Sequence, residues 1–195
     1  MALSYLNKEL IDDTTSLESS NEKTNRLCRL HFDNCKKTIL RSAIWKCAKE
    51  RATLSQDATG PAFGNWTYSY ELPPDYIFAV KINEVDITVD HEIFYDINKR
   101  SIVTNETTLN LEYVANVETG YLDPLCVESI SYMLAGKLAY AMEGNSSREQ
   151  ELLQVAFQTF LPKARYINSI EGYLPQEPRT KHSRRFIARR RGPNG

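Results

Sequence analysis

Apolar residues at Cys28, Phe32, Cys35, Ile39 and Ala43 recur at intervals of three and four, the period of one face of an α-helix. Ser19 and Glu22 stand ahead of them at the spacing of a capping box, in which each side chain accepts the other's backbone N–H. The pattern predicts a long amphipathic helix over about residues 20–44. Upstream, residues 3–11 predict one short helix, and residues 12–16 a loop, because their Asp, Thr and Ser side chains compete for backbone hydrogen bonds.

After Trp45 the period drops to two. Trp66, Tyr68, Tyr70 and Leu72 alternate with Thr67, Ser69 and Glu71, and the alternation returns at Val85, Ile87 and Val89 and at Leu109, Leu111 and Tyr113, which predicts half-buried strands. Residues 76–82 are a short apolar run, residues 93–97 and 101–104 flank the turn-prone Asn98, and Gly60, Pro61 and Gly64 mark residues 56–65 as a loop between the first two strands. Residues 45–117 therefore read as an inserted antiparallel β-meander.

Helical spacing resumes at Asp123-Pro124, where Asp suits the N-cap and Pro the first helical position. Cys126, Ile130, Met133, Leu134, Leu138 and Ala141 form one stripe that Gly144 ends, predicting a helix over about residues 124–143. Ser146 and Glu149 form a second capping box, opening a helix over about residues 147–170 that buries Leu153, Ala156, Phe157, Phe160, Ala164 and Ile167. Pro162 has no N–H for the carbonyl of Gln158, so a kink or break is expected there. The fold class is α+β: a small bundle of the long N-terminal helix and the two C-terminal helices with the β-insert at one end, spanning residues 1–174, and an extended C-terminal arm over residues 175–195.

With 195 residues, 42% hydrophobic and 25% charged, the chain can bury one core without covalent staples, so Cys28, Cys35, Cys47 and Cys126 are expected as reduced thiols. It has no run of about 18 uncharged apolar residues, and MALSYLNKEL has neither a basic start nor a signal-type stretch, so neither a membrane anchor nor self-directed export is expected. The net charge of −1 conceals a division: residues 172–195 carry seven Lys/Arg against one Glu, a net +6, which leaves −7 on residues 1–171.

Candidate chemistry is sparse. Cys28, His31 and Cys35 share one helix at spacings of three and four and could converge on a metal, but a structural zinc site needs a fourth ligand and no second Cys/His cluster follows. Small cysteines on a buried helix face are the simpler expectation. His31, His91 and His182 stand in no nucleophile or metalloprotease motif, and the pairs Asp12/Asp13 and Glu50/Asp57 read as solvated surface before they read as glycosidase carboxylates. Gly60 and Gly64 lack the lysine and the strand-to-helix setting of a phosphate loop. Trp66, Tyr68 and Tyr70 have no basic residues interleaved with them, which favours core or subunit contact over base stacking. No cofactor, metal or catalytic residue is expected, and the chain is not expected to be an enzyme.

The arm is different. Arg179, Lys181, Arg184, Arg185, Arg189, Arg190 and Arg191 surround the apolar pair Phe186 and Ile187, a composition suited to docking in an acidic protein groove or to gripping phosphates. Pro175 and Pro178 fit an extended linker into it.

Residues 2–172 resemble the tail tubular protein A-like adaptors, the head-to-tail connectors of short-tailed bacteriophages. The resemblance rests on SLESSNEKTNRLCRLHFDNCKKTIL, on W-x-x-A-x-x-R-A-x-L at residues 45–54 with Trp66, Tyr70, Leu72, Pro73 and Asp75, on SIVTN before LNLEYVANV, and on DPLCVESISYMLAGKLAYAMEGN. It implies a virion protein of the tail neck, assembled in the host cytoplasm as a dodecameric homo-oligomer ring. Its neighbours would be the portal protein above, a tail nozzle of the tail tubular protein B type below, double-stranded DNA in the channel, and tail fibres as a further candidate. A C-terminal extension that reaches the portal matches the basic arm. Two other expectations remain open beside it: a phage peptidoglycan hydrolase, and a DNA-binding module acting through the arm.

Overall fold

A computed structural model describes residues 1–6, 23–58, 60–61, 64–86, 90–95 and 99–171. Among them, a 3₁₀ turn at Ser4–Leu6 precedes helix α1 (Lys23–Arg41) and a second 3₁₀ turn at Lys46–Ala48. Seven strands follow: β1 (Lys49–Leu54), β2 (Tyr68–Glu71), β3 (Tyr76–Ile82), β4 (Val85–Asp86), β5 (His91–Tyr95), β6 (Arg100–Thr104) and β7 (Leu109–Ala115). A 3₁₀ turn at Thr119–Tyr121 leads to α2 (Pro124–Glu143), α3 (Ser146–Val155), a π-helical turn at Ala156–Phe160, and α4 (Leu161–Ile170). This is the expected α+β order; no helix among the described residues is long and apolar enough to cross a membrane.

Helix α1 buries Cys28, Cys35, Ile39 and Leu40, with Phe32 and Ala43 half-buried beside them. The expected capping pair Ser19 and Glu22, and most of the expected short helix at residues 3–11, lie outside the described residues. The helix ends at Arg41, and the Ile39 carbonyl of its last turn accepts the Ser42 N–H at 3.0 Å, the Ser42 hydroxyl at 2.6 Å and Nε1 of the buried Trp45 indole, which turns back on the helix, at 2.9 Å. Ala48, three residues on, is also fully buried, so the junction between helix and insert is packed solid.

The strands are antiparallel but do not form the expected meander. They divide into a four-stranded sheet, in the order β1-β7-β3-β4, and a three-stranded sheet, in the order β2-β6-β5. Only β3 with β4 and β5 with β6 pair as sequence neighbours. Alternation reveals which residues face a core, not which strand lies alongside. β7 runs between β1 and β3, from Lys49↔Val114 to Leu54↔Leu109 on one side and from Tyr76↔Ala115 to Ile82↔Leu111 on the other.

The four-stranded sheet is the middle layer. Leu109, Leu111, Tyr113 and Ala115 of β7 meet Tyr70, Leu72 and Ile102 of the outer sheet and its flank, while Val114 and Ile77 on the opposite face complete the core under the helices. Three layers result, with α1 resting on β3 and β7.

Helix α2 starts and ends as expected. The Asp123 carboxylate accepts from the Leu125 and Cys126 N–H groups at 2.8 and 3.3 Å, Pro124 opens the helix, and Gly144, at φ 65°, returns its N–H to the Tyr140 carbonyl at 2.9 Å. It is covered more widely than one stripe would require. Ser129, Ser131, Ala135, Gly136 and Ala139 are buried along with Cys126, Ile130, Leu134 and Leu138, because small side chains let both α1 and α3 approach.

Two expectations about the last helices are corrected. The N-cap of α3 is Asn145, whose Oδ1 accepts the Arg148 N–H at 3.0 Å; Ser146 already belongs to the helix, and Glu149 instead bridges to Lys137 at 3.1 Å. Asn caps as well as Ser does, so the site one residue earlier wins. At Pro162 the expected irregularity takes the form of a π turn in place of a break. The preceding turn widens to π geometry, with the Leu161 N–H reaching the Ala156 carbonyl five residues back, which accommodates the missing donor. The extra residue shifts the buried face: Leu152, Ala156, Leu161 and Ala164 are buried at steps of four, five and three, whereas Phe157 and Ile167, expected inside, are exposed.

A Cβ at Gly136 would meet the Glu149 carbonyl oxygen and the Leu153 side chain at 3.2 Å, whereas one at Gly120 meets nothing within 4 Å. Gly136→Val should therefore cost about 1–3 kcal/mol in urea unfolding, and Gly120→Ala less than about 0.5 kcal/mol.

Candidate functional site

The expected docking residues Arg179, Lys181, Arg184, Arg185, Phe186, Ile187, Arg189, Arg190 and Arg191 lie outside the described residues. The structure does define the root from which that segment leaves. Helix α4 is fastened to the turn after α1 by side-chain to backbone hydrogen bonds: Asn168 Oδ1 accepts the Lys46 N–H and its Nδ2 donates to the Ile44 carbonyl, both at 2.8 Å. Arg165 donates to the Ser42 carbonyl at 2.8 Å. The Lys46 ammonium donates to the carbonyl of Asn168 and, at 3.3 Å, to that of Ser169, placing a cation on the negative end of the helix. Residue 171 is thereby held beside the junction of α1 and the β-insert.

Among the polar residues of this root, several large apolar side chains are exposed. Tyr166 is 66% exposed, and Ile167 and Ile170 on the same helix, Ile44 in the turn and Phe157 in the π turn are exposed as well. Isolated exposed apolar residues are ordinary, and Tyr166, Ile167 and Ile170 differ from these in standing close together on one short helix. The aromatic residues Trp66, Tyr68 and Tyr70 are divided: Tyr70 is buried with its hydroxyl on the Glu106 carbonyl at 2.8 Å, Tyr68 packs against the core, and half-buried Trp66 donates Nε1 to Glu92 at 3.2 Å.

The part of the middle sheet that the helices leave uncovered forms an open depression of about 520 Å³ lined by residues that include Arg51, Thr53, Lys81, Asn110 and Glu112. Glu112, only 8% exposed, receives Lys49 Nζ at 3.0 Å and Arg51 Nε at 2.8 Å. Burial alone would raise its carboxyl, but the hydrogen bonds and charges of Lys49 and Arg51 outweigh burial and hold it below the ordinary carboxylate range. Arg51 of the W-x-x-A-x-x-R-A-x-L motif thus serves a structural charge, while Trp45 and Ala48 fill the junction and Ala52 and Leu54 pack on the outer core.

The remaining chemical candidates are scattered. Cys28 and Cys35 are buried in the helical core with His31 half-exposed on the same helix, and no group of three His, Cys, Asp or Glu side chains suited to a metal ion occurs among the described residues. Burial pushes the Cys35 thiol up to about 11, against a partial opposing pull from Lys137, and burial pushes Cys126 up to about 12. Asp57 is occupied by the Ser69 hydroxyl at 2.8 Å and Lys99 at 2.9 Å, and Glu50 is exposed on β1. Asp12, Asp13 and His182 lie outside the described residues.

In sequence comparisons no protein-family model matches the chain, and no curated protein matches it either. The phage-adaptor resemblance therefore rests on the quoted motifs alone.

Two measurements probe this geometry. Because Arg51 is mostly solvent-exposed and its attraction screened, Glu112→Gln should cost about 1–2 kcal/mol at pH 7. The folded carboxyl titrates below the unfolded one, so its stabilisation is complete above roughly pH 5 and is lost as pH falls through about 4 and below; the gap between wild type and variant in urea unfolding should close over that interval. In the native protein an alkylating reagent should label Cys47, the one exposed thiol, before Cys28, Cys35 and Cys126, which should react only on unfolding.

Proposed function

We propose that this chain is a subunit of a ring-forming adaptor that joins the portal of a short-tailed bacteriophage head to the tail nozzle and continues the DNA channel, with residues 175–195 docking on the portal. The observation that carries this reading is the division between an acidic body and a strongly basic terminal segment, at a root that the structure pins in place. Residues 172–195 hold a net +6 and the pair Phe186 and Ile187, and they leave the body at a helix end fixed by Lys46, Asn168 and Arg165. A rigid root repeated around a ring raises the effective concentration of every arm at its partner once the first has docked. The exposed apolar residues of α4 around that root are the further surface such a joint needs.

The test is the mass and symmetry of the full chain mixed with its own portal, with and without residues 175–195, by mass photometry and negative-stain imaging. A twelve-fold ring that binds the portal only when the arm is present is the expected result, and Phe186→Ala with Ile187→Ala should weaken docking at least about tenfold. A monomer indifferent to the portal would overturn the reading. Retention of duplex DNA by the arm, falling steeply between about 50 and 200 mM salt, would favour the DNA-binding module instead.

A further inference from the structure

Helix α1 carries six Lys/Arg against one Asp, a net +5, whereas residues 49–115 carry five Lys/Arg against eleven Asp/Glu, a net −6. Only part of that acid lies away from α1: Asp57, Glu71, Asp90, Glu92 and Glu106 belong to the outer sheet and its flanking loops, with Lys99 and Arg100 among them, while Glu50, Glu84 and Glu112 belong to the middle sheet. α1 belongs to the helical layer on one face of the middle sheet, and β2, β6 and β5 form the layer on its other face. On α1, Arg26, Arg29, Lys37 and Arg41 face solvent, Lys37 paired with Asp33 at 2.6 Å, and so does Leu30, which is 64% exposed. Lys36 and Arg41 donate to the carbonyls of Val117 and Ile77, contacts that hold the side chains without neutralising them. On the outer layer, Asp90, just before β5, and Glu92, which accepts Trp66 Nε1 at 3.2 Å, are exposed on the same strand face as the exposed Phe94 of β5, an edge strand.

We infer that neighbouring copies of this chain join head to tail, the basic outer face of α1 on one copy against the acidic β5 face of the next. A two-fold contact would set like charge against like, α1 on α1 or β5 on β5, and is disfavoured by repulsion; the opposite signs at the two ends of one subunit favour a heterologous contact, the kind that propagates into a closed ring. Leu30 on one side and Phe94, which shares the strand face of Asp90 and Glu92, on the other supply the apolar centre that an interface needs inside a charged rim. A nucleic-acid backbone would match the cations of α1 but offers nothing to cover an exposed leucine, and the acidic insert would repel it. The inference rests on the ring reading above and adds which faces meet.

The experiment assembles the full chain on its own portal in about 100 mM salt and counts ring subunits by mass photometry. Arg26→Glu with Lys37→Glu should lower ring formation at least about tenfold, Asp90→Lys with Glu92→Lys should do the same, and the chain carrying all four substitutions should recover it. The neutral pair Arg26→Gln with Lys37→Gln, which strains the helix least, should give an intermediate loss. Rings that form on the portal regardless of either reversal would overturn the inference and leave the adaptor reading standing; wild-type chain that forms no ring on the portal would remove both. Loss of duplex DNA retention on the α1 reversal, with ring yield unchanged, would assign that face to nucleic acid and sink the head-to-tail contact.

Discussion

Strand β7 has to be covered on both faces, and the arrangement of the molecule follows from that. Leu109, Leu111, Tyr113 and Ala115 point to one side and Val114 to the other, all but wholly buried. One layer cannot cover both faces, so the helices take one and the second sheet the other. Where the helical layer ends, the same face of β7 presents Glu112, a carboxylate too buried to be solvated freely, and Lys49 and Arg51 from the neighbouring strand complete it with charge in place of hydrocarbon. The central strand thus accounts for the layer count, the two cores and the polar cluster.

The junction after α1 couples this sheet to the chain's exit. Trp45 caps α1 and enters the helical core, and the residues on either side of it, from Ser42 to Lys46, supply the carbonyls and donors that fasten α4. A displacement of the insert relative to α1 would pass through these bonds to residue 171. The turn that begins the β-insert is therefore also the foundation of the C-terminal segment, although about 120 residues separate them along the chain.

Much of the secondary structure was legible because its signals are local. Asp123-Pro124 and Gly144 bounded α2 to the residue, and the run at residues 76–82 matched β3. Strand partners were not legible, since alternation at Tyr68 and Tyr70 or at Leu109 and Leu111 is equally satisfied by any neighbour that offers an apolar face. Asn145 was missed because Ser146 and Glu149 form a spacing that looks complete by itself. At the candidate site, the basic segment was legible from composition, while its root was not: Lys46, Asn168 and Arg165 are unremarkable polar residues until folding brings them together across more than a hundred positions. The burial of Glu112 leaves no mark in the sequence for the same reason: it depends on what lies above the sheet.

The π turn before Pro162 explains why the last helix exposes so much hydrocarbon. One added residue advances the helical face by about 100°, so an apolar pattern written for regular α geometry no longer coincides with the buried side after Ala156. Leu161 and Ala164 recover the core, Phe157 is exposed in the π turn itself, and Ile167 is carried outward to join Tyr166 and Ile170. A helix selected for folding alone would be expected to place polar residues at those positions, since exposed apolar surface gains nothing in stability and invites association. Tyr166, Ile167 and Ile170 instead stand next to the fastened chain exit, so the hydrocarbon that the π turn leaves exposed is concentrated where the chain leaves the body.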